Sequence, residues 1–284
     1  MASRSEIRGS EQAVRIHRRQ ALTAAFAALL AGRLAPAGAA ESPEADVSSQ
    51  AREDAIRRLP LRQLNEETQR KLLSVVERPS IFRRLPTKTI DCDTDLYLFL
   101  VRNPEVVVNI WEIMGVSNMT AQRTGPYSWK GDDGAGTQCN IELVYGTDQM
   151  HVLYGDGYYE GPLLKRKING RCVMLLHSGH SQGQDARGYI GSQLDVFLTI
   201  DNAGADLMAK TLHPWVGQTI DMNFAESAKF ISRLSQAAER NGSGMQNLSD
   251  KLTRVDPPVR DRFTGVSTAV AQRAALRESS LQRR

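Results

Sequence analysis

Cysteine is scarce in this chain, with only Cys92, Cys139 and Cys172 among 284 residues, too few to staple a disulfide scaffold. The 22 Gly and 11 Pro are likewise too few for a low-complexity chain, so a hydrophobic core has to carry the fold. Aromatic residues amount to 6%, and each large ring therefore becomes a candidate for core or ligand contact. The apolar run from Ala21 to Gly32 has 12 residues, short of the roughly 20 that a bilayer-spanning helix needs. Neither a phosphate-binding loop nor a dinucleotide fingerprint occurs. Asp132-Asp133-Gly134 lacks the ligand spacing of a calcium loop and reads as turn chemistry.

Positive charge is also missing from where a nucleic acid would require it. The formal charge is +4, from 36 basic and 32 acidic residues. Residues 1–39 hold six basic and two acidic of these, which leaves 30 of each. Residues 251–284 hold another eight basic and three acidic, so residues 40–250 carry 22 basic against 27 acidic. The segment expected to fold is mildly acidic, and no nucleic-acid partner is expected.

What is present begins with the order of an export signal. Arg4, Arg8, Arg15, Arg18 and Arg19 precede the apolar run, Arg33 and Pro36 close it, and Ala37-Gly38-Ala39 offers small residues for a peptidase. The sequence predicts a signal peptide over 1–39, cleaved after Ala39 or Ala40, and a periplasmic or secreted protein. Arg18-Arg19-Gln20-Ala21-Leu22 is similar to a twin-arginine signal, with ordinary Sec export the alternative. Residues 40–60 lack apolar periodicity and read as a linker. Residues 61–83 carry Leu64, Leu72, Leu73, Val75 and Val76 and predict a helical segment ended by Pro79.

Thr87 to Asp91 reads as a short strand. Asp93 and then Asn103-Pro104-Glu105 open two short helices, ended by Gly115. Strands are expected at 119–130, 136–146, 149–155, 158–168, 171–178 and 188–200, punctuated by Asp133-Gly134, Gly146-Thr147, Gly155-Asp156-Gly157 and Asn169-Gly170. Such close spacing leaves no room for crossover helices and predicts an antiparallel meander. Gly155-Asp156-Gly157 could instead be a bulge that merges two strands. A long helix follows over about 205–241, with Leu212, Val216, Ile220, Phe224, Ile231, Leu234 and Ala238 on one face and a kink at Pro214. Residues 242–284 read as a basic tail with one short helix.

A strand, two small helices, an antiparallel meander and a long C-terminal helix is the element order of the helix-grip fold. In that order residues 84–241 resemble the START and Bet v 1-like superfamily. The resemblance implies an α+β domain with a curved antiparallel sheet of about seven strands wrapped on the C-terminal helix. It also implies a cavity between them that holds a lipid or other hydrophobic small molecule. It carries over no catalytic residue and no cofactor.

Such a cavity takes large apolar groups and one or two polar ones. The candidates are Trp111 and Met114 from the second small helix; Tyr127, Trp129, Tyr145, Tyr154 and Phe197 from the strands; and Leu212, Trp215, Val216, Ile220 and Phe224 from the long helix. Any one of them could equally be plain core. Three other readings stand beside this one. Gly179-His180-Ser181-Gln182-Gly183 fits a serine-hydrolase elbow, with Asp201 or Asp206 and His213 following in order. The surrounding hairpins argue against it, because that elbow needs a parallel sheet. His177, His180 and Asp185 could converge on a metal, although histidines in a glycine-rich loop are usually solvated. The third reading is an envelope interaction protein whose cavity is filled by its own side chains. Lys165-Arg166-Lys167 could touch acidic headgroups at a membrane surface or be a solvated turn. Cys139 and Cys172 could pair only if their strands lie close together.

Overall fold

The computed structural model describes residues 44–162, 167–184, 186–201 and 213–282. Eight strands make one open antiparallel sheet: β1 (Ile81–Arg84), β2 (Lys88–Asp91), β3 (Thr120–Gly125), β4 (Ser128–Asp132), β5 (Thr137–Gly146), β6 (Met150–Tyr159), β7 (Ile168–Gln182) and β8 (Gly188–Ile200). The order is β1-β8-β7-β6-β5-β4-β3, so everything from β3 to β8 is a meander of sequential neighbours. β1 and β2 lie end to end along the free edge of β8, Ile81 opposite Leu198 and Asp91 opposite Tyr189.

The described helices are α1 (Ser49–Arg58), α2 (Glu66–Val76), α3 (Thr94–Arg102), α4 (Pro104–Ile113), α5 (His213–Arg240), α6 (Gly242–Asp250) and α7 (Pro257–Gln282). Several begin as their sequences dictate. Asp93 accepts from the Asp95 and Leu96 N–H groups at the start of α3, and Pro104 occupies the first turn of α4, where its missing donor leaves no bond unmade. Gly115, at φ +66°, turns the chain away after α4. Pro214 falls in the first turn of the described part of α5, so it breaks no bond there. No helix among the described residues is long and apolar enough to cross a membrane.

Side chains alternate across the sheet, and each face has its own cover. Cys172, Met174, Val196 and Leu198 pack with Val216, Ile220 and Phe224 of α5. Val173, Leu175 and Phe197 point the other way, onto Ala51 and Ala55 of α1 and Leu72 and Val76 of α2. A third cluster joins α3 and α4 to α5, α6 and α7 through Phe99, Trp111, Ala238, Met245 and Phe263.

The boundaries differ from the sequence reading in instructive places. The segment expected as linker 40–60 contains α1, capped by the Ser48 hydroxyl, which accepts from the Ala51 N–H. The expected strand 119–130 is a hairpin, β3 and β4, turning at Pro126-Tyr127. Gly155-Asp156-Gly157 neither ends a strand nor shifts register; β6 runs straight through it. Glycine is needed there because a Cβ at Gly157 would overlap the Gln138 carbonyl on β5. Asn169-Gly170 lies inside β7. The expected tail forms α6 and the 26-residue α7. Phe263 stacks on Phe99 of α3 with ring centroids 5.9 Å apart, while Arg273 donates to Asp93 at 2.7 and 2.8 Å. The signal peptide expected over 1–39 and its expected cleavage point lie outside the described residues.

Candidate functional site

A cavity of about 140 Å³ lies between the sheet and α5, roofed by α3 and α4. Interiors are normally packed with few voids larger than a water molecule, so an apolar space of this size is a departure. Of the residues nominated from the sequence, Trp111, Trp129 and Phe224 line it. Sequence reasoning missed Tyr97 and Val107 from the small helices, Met174 and Ser192 from the sheet, and Ser227 from α5. One signal was available for Ser227. It occupies the step between Phe224 and Ile231 on the apolar stripe, where a larger hydrophobe is the ordinary choice.

The remaining candidates do not converge. Val216 and Ile220 are buried between α5 and the sheet but do not reach the cavity. Met114 and Tyr127 are 58% and 61% exposed. Tyr145, Tyr154 and Phe197 belong to the opposite face: Phe197 packs on Phe82 with centroids 4.9 Å apart, and the Tyr145 hydroxyl donates to Gln63 Oε1 at 2.9 Å. Leu212 lies outside the described residues, and of Trp215 only the backbone, in the first turn of α5, is described.

Polar groups at the cavity are few. At one end the Tyr97 hydroxyl is 2.8 Å from Ser178 Oγ and 3.2 Å from Ser192 Oγ. Under Trp129 sits Glu105, which accepts from Trp129 Nε1 at 2.7 Å and from Arg123 Nε at 2.8 Å. Burial pushes the Glu105 carboxyl up from its ordinary pKa, against the opposing pull of Arg123. Arg123 also lies over the Trp129 ring, 5.0 Å from its centroid. Its charge is committed to Glu105 and to holding Trp129 in place. Two buried polar atoms on lining residues, Trp111 Nε1 and Ser227 Oγ, find no partner among the described residues.

The alternative constellations are taken apart by the sheet. Ser181 sits on the β7–β8 hairpin opposite Tyr189, and its hydroxyl donates to the Tyr189 carbonyl at 3.3 Å. Asp91, also opposite Tyr189, donates its N–H to Ser232 on α5. His213 lies 19 residues earlier on that helix, about 28 Å away at 1.5 Å per residue. No Ser–His pair forms across that distance. Asp206 lies outside the described residues, and Asp201, at the far end of β8, receives a 3.3 Å bond from Arg171. His177 and His180 are three positions apart on β7 and so face opposite sides. His177 borders a surface groove with Arg58; His180 faces Tyr97, its Nε2 2.7 Å from the Asp148 carbonyl. Asp185 is outside the described residues, and among those described no three His, Cys, Asp or Glu side chains gather for a metal.

All three cysteines are free thiols. Cys139 on β5 and Cys172 on β7 have β6 between them, a separation of roughly 9.5 Å that no disulfide spans. Of the basic tip, Lys165 and Arg166 lie outside the described residues, and Lys167 Nζ rests 3.5 Å over the Tyr158 ring.

The fold and cavity thus define a class: an α+β chain whose open eight-stranded antiparallel sheet packs against a long C-terminal helix. No family model and no curated protein matches the chain. Among solved structures, a hypothetical protein from Helicobacter pylori is similar over 54% of this chain and 88% of its own, at 10% identity and a TM-score of 0.34. None of these comparisons adds support to the START and Bet v 1-like resemblance.

Proposed function

We propose that this chain is an exported binding protein that holds a hydrophobic small molecule in the cavity between the sheet and α5 without transforming it. The cavity itself carries the reading. It lies between the sheet and its covering helices, and the described residues lining it include no His, Cys, Asp, Glu, Lys or Arg. Such a lining suits retention by burial rather than acid–base or nucleophilic chemistry. The Arg-rich then apolar order of residues 1–39 supports export, and the helix-grip reading supports the position of the site.

Size narrows the occupant. An apolar cavity of about 150 Å³ holds a benzene-sized molecule. At about 140 Å³, this one takes a ring or a short stretch of acyl chain, and a whole lipid requires α3 and α4 to move away from α5. Mass spectrometry of an organic extract of the purified protein should find a retained apolar compound. Repeatedly empty extracts, from native as well as recombinant material, together with no binding of small apolar probes, would overturn the proposal.

A further inference from the structure

We infer that the molecule held in this cavity is neutral and carries a hydrogen-bond acceptor, such as a ketone, ester or alcohol oxygen, read jointly by Trp111 Nε1 and Ser227 Oγ. The inference rests on the binding proposal above and names the chemistry of its ligand. Trp111 is 4% exposed, and a buried indole N–H ordinarily finds an acceptor. Here it finds none among the described residues. Ser227 is as unusual. A hydroxyl inside a helix commonly bonds the carbonyl one turn back, and on α7 Thr268 does so, donating to the Thr264 carbonyl at 2.9 Å. The Ser227 hydroxyl is buried without such a bond. Ser267 on α7 is also unpartnered, but it lines no described cavity, whereas Trp111 and Ser227 line the same one.

Their placement joins them. The Trp111 ring meets Phe230 edge-on, with centroids 5.3 Å apart, and Ser227 lies three residues before Phe230 on the same face of α5. Both groups therefore stand at the seam where α4 meets α5. The indole can only donate, and a serine hydroxyl can donate as well, so an acceptor satisfies both. Charge is excluded from the other side. No cation lines the cavity among the described residues, and Arg123, whose guanidinium lies over the Trp129 ring, is held by Glu105. A carboxylate would enter unpaired, which a desolvated apolar site disfavours strongly.

The test compares three probes of similar shape, methylcyclohexane, cyclohexanone and cyclohexanecarboxylate, on the full chain. Affinity is followed by ligand-observed NMR and by the Trp111 indole N–H resonance. Cyclohexanone should move that resonance and methylcyclohexane should not. Trp111→Phe and Ser227→Ala should each weaken cyclohexanone by about tenfold, the size of one lost hydrogen bond, while methylcyclohexane changes less than about twofold in the Ser227→Ala protein, where the lining loses little volume. Cyclohexanecarboxylate should not bind. If methylcyclohexane binds but cyclohexanone is indifferent to both substitutions, or leaves the indole resonance unmoved, the acceptor inference falls and the binding proposal stands. Tight cyclohexanecarboxylate binding would also overturn it. If no probe binds the unsubstituted protein, the binding proposal falls and takes this inference with it.

Discussion

The two faces of the sheet are made from the same strands by simple alternation, yet they are finished differently. On the face covered by α1 and α2, Phe197, Val173 and Leu175 are fully buried against Phe82 and the aliphatic side chains of the two helices. Beside them Arg84 grips the buried Asp195 through two hydrogen bonds of 2.7 and 2.9 Å and reaches Asp54 with a third. The face under α5 has comparable residues but stops short of filling the space. One face is built for rigidity. The other keeps room, and the two faces are therefore expected to differ in their tolerance to substitution.

Substitutions can break or sharpen that contrast. The largest effect is expected on the closed face: Phe197→Ala should lower stability by about 3–5 kcal/mol in denaturant titration, whereas Phe224→Ala, beside an existing void, should fall at or below the low end of that range. Equal losses would erase the distinction. Asp195→Ala should cost up to about 3 kcal/mol, because it leaves the Arg84 guanidinium, whose pKa the buried pair raises above its ordinary value, with Asp54 as its remaining partner. Next come the overpacking variants. Ala55→Leu on α1 should destabilise by about 1–3 kcal/mol, while Ala228→Leu, which points into the cavity, should stay within about 1 kcal/mol and abolish probe binding.

The last predicted effect is one of pH. His151 is fully buried, receives a 3.1 Å bond from Arg102 Nε, and burial lowers its pKa from 6.5 to about 4. Burial shifts His177 in the same direction. The unfolded chain takes up these protons first, so the stabilisation is complete above about pH 6.5 and is lost as pH falls toward 4. His151→Gln, which keeps an acceptor for Arg102, should flatten the stability profile over that window and leave the pH 8 value nearly unchanged. An unaltered slope would show that other groups control it.

The same residues show what was legible beforehand. The bounds of β5 and β8 and the helix starts at Asp93 and Pro104 follow from hairpin and capping chemistry that acts over a few residues. Trp111, Trp129 and Phe224 could be nominated because large apolar groups on a predicted helix or strand have few other uses. Whether a strand residue faced α5 could not be read, and Tyr145, Tyr154 and Phe197 fell on the wrong side, because one position of register exchanges the two faces. Gly157 misled for a different reason: a glycine demanded by a neighbouring strand looks in sequence like one demanded by a turn. α1 and α7 escaped notice because their buried stripes are mostly small residues, Ala51 and Ala55 in one and Ser267, Val270 and Ala274 beside Phe263 in the other. Hydrophobic periodicity hardly registers such stripes, although helices pack closely through them.

The seam between β8 and its outer neighbours has a consequence in time. From β3 to β8 every pairing joins sequential strands through a short connection, and such contacts close quickly. β1 and β2 instead meet β8 across 98 to 117 positions of chain, the longest loop the sheet has to close. Phe82 packs on Phe197, and α1 is tied to β1 through the bond from Arg84 to Asp54. The α1–α2 cover therefore completes only with that closure. Until it does, Val173, Leu175 and Phe197 stand as an apolar surface on an otherwise assembled meander. A part of the finished molecule that is fully buried is thus one whose order of assembly leaves it exposed to self-association.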